Sequence, residues 1–285
     1  MPGVTVTGVT FFSSKVNREY RLALLADVHD CLPADVLPHV RSFSPDLIAI
    51  NGDLVNSYLT DWILTPKDHL KNLLRGRRDV RYDGHLASSY SGVSVLQECA
   101  SISPTFYSLG NHERSFTSAD VSAARSAGAM LLENEFLPFG GLCIGAQSSF
   151  EVGETSAMRI QAGDEDPFLA KRRGRAYTPE AETAWLDEFE RQPGFKVLLC
   201  HHPEYYDKFL RHRDVDLILS GHAHGGQIRL FGRGLYAPDQ GVLPRYTSGV
   251  IDNRMVISRG LCNQYRFVPR FNNAFELVLI TIKPE

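Results

Sequence analysis

The chain has 285 residues, room for one large domain or two small ones. Its 43% hydrophobic and 22% charged content is ordinary for a globular protein, which excludes collagen-like, coiled-coil or wholly disordered character. Thirty-three acidic side chains against 30 basic ones give a formal charge of -3, which excludes a dominant basic surface of the kind that holds nucleic acid.

In chain order, residues 4–12 alternate weakly and predict a first strand. Residues 20–26 form a continuous aliphatic strand ended by Asp27. Further strands are predicted at 46–51, ended by Gly52-Asp53, and at 105–109, ended by Gly110-Asn111. Another is expected at 196–200, ended by His201-His202-Pro203, and another at 215–220, ended by Gly221-His222. Residues 275–282 close the chain as a strand. Helices fit between them at 62–74, 93–100, 118–127 and 178–192, the last with Thr178 as cap and Pro179 at the first helical position. Alternation of strand and helix predicts an α/β fold in a single domain over 1–285, with an irregular insertion at about 61–92.

No stretch approaches the roughly 18–20 apolar residues that span a bilayer. Residues 1–20 lack the basic start and apolar run of an export signal. Cys31, Cys99, Cys143, Cys200 and Cys262 are odd in number and contain no C-x-x-C, the pattern of free thiols in a reducing compartment. Cys143 and Cys200 lie in apolar runs and are expected in the core. The expected location is cytoplasmic, with peripheral membrane contact as the alternative.

Five of these strands end in metal-competent side chains: Asp27 and His29, Asp53, Asn111 and His112, His201, and His222 with His224. Sites in open α/β sheets lie at the carboxyl ends of strands, where the scaffold is rigid and the side chains remain accessible. Converging ends would gather imidazoles with carboxylate and amide oxygens, a donor set that suits manganese, iron or zinc. No thiolate belongs to it, so a closed structural zinc site fits poorly. On extended backbone, Asp27-x-His29 and His222-x-His224 would each present both side chains to one face. His39, His69, His85 and His212 are read as surface or satisfied histidines.

Asp27-x-His29, Gly52-Asp53, Gly110-Asn111-His112-Glu113, His201 and Gly221-His222-x-His224 together resemble the calcineurin-like metallophosphoesterase superfamily, in that family's order. His224-Gly225-Gly226-Gln227, followed by Tyr236-Ala237-Pro238 and Arg245-Tyr246, resembles a bacterial phosphodiesterase branch carrying a GHxHGGQ motif. The resemblance implies a four-layer αββα sandwich of two mixed β-sheets flanked by helices. It implies two metal ions: Asp27, His29 and His224 on the first, Asn111, His201 and His222 on the second, Asp53 bridging, and His112 unligated beside the scissile phosphate. It also implies hydrolysis of phosphodiesters by a metal-bridging hydroxide. The alternatives are a pyrophosphohydrolase of a nucleotide-linked lipid, resembling a UDP-diacylglucosamine hydrolase, and a non-catalytic scaffold.

Around that core, His202 is expected to point away from the ligands and to act behind them. Glu113 is read either as orienting an imidazole or as a solvent-facing residue at a helix start. Arg114 and the basic run 171–175 are candidate phosphate contacts, the run being more simply a solvated loop. Phe231, Tyr236, Tyr246 and Tyr265 are candidate groove aromatics, although aromatics are more often core. The expected partner is a phosphate-ester substrate, with no nucleic acid and no protein partner.

Overall fold

In the computed structural model, which describes residues 3–56, 84–87, 89–150, 152, 166, 178–263 and 269–285, the layers follow from side-chain parity. Strand β2 (Tyr20–Leu25) sends Leu22 and Leu24 to one side and Ala23 and Leu25 to the other, as a period of two requires. Both sides are buried, so the strand reads as continuous apolar sequence rather than as an alternation. β3 (Leu47–Asn51) repeats this, with Leu47 and Ala49 on one side and Ile48 and Ile50 on the other. The first sheet has the order β1-β16-β2-β3-β4-β5, with β1 at Thr5–Phe12, β4 at Thr105–Ser108, β5 at Ala129–Leu132 and β16 at Glu276–Lys283. β16 pairs antiparallel with β2, and the other neighbours in this sheet run parallel.

The second sheet has the order β14-β15-β9-β8-β7-β6. Its strands are β6 (Glu135–Phe139), β7 (Leu142–Gln147), β8 (Phe195–Cys200), β9 (Leu217–Ser220), β14 (Gly249–Ile251) and β15 (Met255–Ile257). Between β9 and β14 the chain makes two small antiparallel pairs. β10 (Arg229–Leu230) pairs with β11 (Arg233–Gly234), and β12 (Tyr236–Ala237) with β13 (Gly241–Val242). Val197 and Leu199 of β8 meet Leu22, Leu24 and Phe106 between the sheets. Leu198 and Cys200 face outward under Leu186, Phe189 and Leu210. Helices α1 (Val36–Phe43), α2 (Tyr90–Ile102) and α3 (Ser118–Ser126) cover the outer face of the first sheet through Val40, Leu96 and Ala124. The architecture is therefore the expected α/β sandwich of two mixed sheets flanked by helices. Each fully buried leucine or isoleucine at these contacts contributes about 1.5–3 kcal/mol.

The predicted strands are present within a residue or two. β5, β6, β7, β14 and β15 join them in the two large sheets without having been expected. β6 is an edge strand with Pro138 inside it and mostly exposed side chains, so its apolar signal is weak. The single helix expected at 178–192 is two short helices, α4 (Pro179–Thr183) and α5 (Leu186–Glu190). Thr178 does cap the first, accepting from the amide of Ala181 at 3.2 Å. The break follows from Thr183, whose hydroxyl bonds back to the Pro179 carbonyl at 2.7 Å, and from Trp185, whose indole N–H holds Gln147 Oε1 at 3.1 Å. The helix expected at 62–74 and most of the insertion at 61–92 lie outside the described residues, as do His69, the basic run 171–175 and Tyr265. None of the five cysteines is in a disulfide, and Cys143 and Cys200 are buried as expected. Among the described residues no helix is long and apolar enough to cross a membrane.

Candidate metal centre

β2, β3, β4, β8 and β9 end at a common edge, tied there by main-chain bonds between the following loops. Asp27 donates to the Gly52 carbonyl at 3.3 Å, His29 to that of Asp53 at 2.9 Å, and Gly221 to that of His201 at 3.0 Å. Asn111 and His112 open a 3-10 turn, Asn111–Ser115, after β4. The predicted residues therefore do converge, but not on extended backbone. Asp27, His29, Asp53, His222 and His224 have φ of 53°, 47°, 53°, 62° and 46°. This left-handed region costs a non-glycine residue about 1–3 kcal/mol and persists where surrounding bonds over-determine it. Here a tight turn after each strand, not the pleat, aims the side chains inward. Gly110 is required for the approach, since a Cβ there would meet Asp53 Oδ1 and the Asp53 amide.

Asp53 lies at the centre. Its Oδ2 is 3.2 Å from His201 Nε2, 3.8 Å from His29 Nε2 and 3.9 Å from His112 Nε2. Its Oδ1 accepts the His112 amide at 2.9 Å. Beside it, His224 Nε2 is 3.5 Å from Asp27 Oδ1 and 3.3 Å from His29 Nε2. Three clusters of mutually close ligand atoms result: Asp27, His29 and His224; Asp53, His201 and His222; and His29, Asp53 and His112. His112 thus stands within ligand distance of the same carboxylate as the others.

Ring orientations are set from behind. His201 Nδ1 bonds the Asn51 carbonyl at 2.8 Å, which places its proton there and turns Nε2 to the centre. His222 Nε2 bonds Asp239 Oδ2 at 2.9 Å, leaving Nδ1 for the centre. The His224 loop is held by Asn273, whose Nδ2 donates to the carbonyls of His224 and Gln227 at 2.8 and 3.1 Å. Arg270 Nη2 lies 3.1 Å from His224 Nδ1.

Charge in this buried cluster is divided unevenly. Burial pushes the Asp27 carboxyl up to about 6, with nearby His201 opposing it. Burial also pushes Asp53 up, but His201, His112 and His29 together outweigh it and hold that carboxyl well below the usual range. Burial lowers His201, yet Asp53 and Asp27 raise it to about 10. His224 falls well below its ordinary value through burial and the neighbouring His29 and Arg270, and His222 falls through burial and His202. The centre thus sets buried carboxylates beside imidazoles, an arrangement that favours a cation.

Glu113 departs from both of its readings. Glu113 neither faces solvent nor touches an imidazole. It is fully buried, and its carboxylate accepts the amides of Asp53, Leu54 and Gly110 at 2.9, 2.8 and 2.7 Å and the Tyr107 hydroxyl at 2.9 Å. It thereby staples the Asp53 loop to the Asn111 turn, and only its place after Gly110-Asn111-His112 hinted at a role. Tyr246 is buried under the second sheet and donates to Asp207 at 2.7 Å, so it belongs to packing rather than a groove. Phe231 and Tyr236 are exposed. His202 does sit behind the ligands, with Nδ1 on Glu204 Oε1 at 2.9 Å and Nε2 on Ser149 Oγ at 3.1 Å. His39 and His212 are exposed, and His85 bonds Asp120 at 2.8 Å.

The donor set fits metal ions. It joins two buried carboxylates to imidazoles, two of which, His201 and His222, have their back nitrogens already bonded. Asn111 Oδ1 is buried and finds no hydrogen-bond donor among the described residues, as a ligand oxygen would. Residues 20–226 match the sequence model of the calcineurin-like phosphoesterases. The chain belongs to this family. The "Uncharacterized protein YpbG" of Bacillus subtilis (strain 168) is 26% identical to this chain over 228 residues, 79% of this chain and 69% of that protein. An "Uncharacterized metallophosphoesterase" of Helicobacter pylori (strain ATCC 700392 / 26695) is 25% identical over 224 residues, 76% of this chain but 48% of that one. The chain therefore spans about half the length of the Helicobacter relative. Among solved structures, TT1561 of Thermus thermophilus aligns with a TM-score of 0.37 at 13% identity, covering 71% of this chain and 81% of that one.

Metal binding at a buried cluster of this kind is expected to stabilise the fold of this family member. Free metal at 100 times Kd would add about 2.7 kcal/mol. Thermal unfolding with and without a strong chelator checks this: a fall of several degrees on stripping is expected, and an unchanged Tm would argue against a metal site.

Proposed function

We propose that the chain hydrolyses phosphodiester bonds with two metal ions. Asp27, His29 and His224 hold the first, Asn111, His201 and His222 the second, and Asp53 is shared. The observation that supports this best is Asp53 Oδ2, which sits within 3.9 Å of His201, His29 and His112 while Oδ1 is fixed on the His112 amide. When bound, the cations supply an acidified water and positive charge for the phosphoryl oxygens.

The protein's own groups do the rest. Asp53 and Asp27 hold the negative charge that retains the metals. Asn51 and Asp239 fix the ring tautomers of His201 and His222, so that the ligand nitrogens are already aimed before metal arrives. His112 carries the proton work: its Nε2 faces the centre and can protonate the leaving oxygen or hydrogen-bond a phosphoryl oxygen. Help of that kind is worth about 10²–10⁴ in rate.

The first test is hydrolysis of a chromogenic phosphodiester by protein stripped of metal and resupplied with manganese, iron or zinc, beside the matching monoester and a nucleotide-linked lipid pyrophosphate. Metal-restored cleavage of the diester in preference to both is the expected result. Preference for the pyrophosphate would overturn the diesterase assignment in favour of a lipid-linked substrate. A His112→Ala variant is expected to keep both metals and lose about 10²–10⁴ in turnover. Loss of one metal equivalent would instead make His112 a ligand.

A further inference from the structure

Behind the metal-facing ring of His222 lies a second cluster, in which the phosphoesterase reading gives His202 and Glu204 no work. His202, Glu204, His222 and Asp239 each offer a ligand atom, all within 4.8 Å of one another. His202 Nδ1 is 2.9 Å from Glu204 Oε1 and 3.8 Å from Asp239 Oδ2. Glu204 is only 8% exposed, and its second oxygen, Oε2, is buried with no hydrogen-bond donor among the described residues. No Lys or Arg among the described residues lies within 4 Å of either carboxylate. Two carboxylates thus stand side by side, one buried, with two imidazoles as their neighbours. A buried carboxylate left with unused lone pairs is costly unless something positive meets it.

We propose that His202 Nδ1, the Glu204 carboxylate and Asp239 Oδ2 form a separate site for a divalent cation of zinc type, adjoining the Asp53 centre. One nitrogen and two carboxylate oxygens are a zinc-competent set with a fourth position left for water. Ligand bonds of about 2.0–2.2 Å set at tetrahedral angles place ligand atoms about 3.4 Å apart. Two of the three separations, 2.9 and 3.8 Å, bracket that value, and the third, Glu204 to Asp239, is within 4.8 Å, so side-chain movements of about an ångström complete the site. Ser149 Oγ can accept the hydrogen bond from His202 Nε2–H when Nδ1 binds metal. Asp239 is 48% exposed in its side chain, which gives a cation a way in from solvent. His222 stays outside the ligand set, its Nε2–H resting on Asp239 and its other nitrogen turned to the Asp53 centre. The two sites would therefore be neighbours across one imidazole.

The test is a count of bound zinc on the full chain, stripped by chelator and dialysed against graded Zn2+, with metal measured by elemental mass spectrometry. Three equivalents per chain are expected, one of them removed or weakened at least tenfold in Glu204→Gln and in Asp239→Asn. The buried Glu204 variant is checked for folding by circular dichroism. Asp239→Asn serves if it fails, since an amide oxygen can still accept from His222. Saturation of the wild type at two, unchanged by either variant, overturns the proposal, as does a third equivalent that survives both. Asp53→Asn separates the two centres: zinc lost there but retained in Glu204→Gln belongs to the Asp53 centre. Zinc with the opposite behaviour upholds this site even if the paired centre fails.

Discussion

Asp53→Asn is expected to lower turnover by about 10³-fold or more and to remove at least one equivalent of bound metal. The substitution keeps size and shape, so the effect isolates charge and donor type. The amide oxygen would turn to the His112 main-chain N–H that Oδ1 now accepts. The NH2 group would then face the nitrogens of His201, His29 and His112, where Oδ2 stands at 3.2, 3.8 and 3.9 Å. A donor would occupy the place of a shared acceptor, and the centre would lose a full negative charge. The carboxylate is also the group that the surrounding imidazoles hold well below the usual range against its burial, so it is the firmest anion of the site. Metal content by elemental analysis and turnover of a chromogenic diester read the two consequences separately. Full metal content with unchanged turnover would remove Asp53 from the shared position.

Glu113→Ala is expected to destabilise the fold by about 3–5 kcal/mol, a loss of the size seen when a buried charged network loses one member. Its two oxygens satisfy the amides of Asp53, Leu54 and Gly110 and the Tyr107 hydroxyl, all buried. Alanine leaves those buried donors without the acceptor they share. Glu113→Gln should lie between, because its NH2 group would oppose the amides of whichever loop it faces. Tyr107→Phe, which removes one donor along with its need for a partner, should cost about 1 kcal/mol. Denaturant unfolding of the three variants checks the order. A Glu113→Ala loss under about 1 kcal/mol would mean that the Asp53 loop and the Asn111 turn are held by other contacts. Metal affinity should fall in the same order, since Asp53 and Asn111 ride on the stapled segments.

Much of the centre was legible because its chemistry is concentrated in short motifs. Aliphatic strands such as 20–25 and 47–51 are buried on both faces, so they read as unbroken apolar runs, and each is followed two residues later by a carboxylate, Asp27 or Asp53. The edge strand β6 hid because it buries little and contains Pro138. The helix expected at 178–192 broke because Thr183 and Trp185 found hydrogen-bond partners that no periodicity signals. Tyr246 follows its commoner reading as a core aromatic, with its ring under the second sheet.

What the amino-acid order determined by itself was which donors exist and that each follows a strand, because hydrophobic runs and the residues that end them are local properties. The tertiary structure decided how those donors meet. Left-handed turns at Asp27, His29, Asp53, His222 and His224 replace the extended geometry that spacing suggested, and long-range main-chain bonds such as His29 to Asp53 hold them there. It also decided the work of Glu113 and the closeness of Glu204 to Asp239. Those roles depend on burial and on partners from distant parts of the chain, and neither is written in any short stretch of sequence.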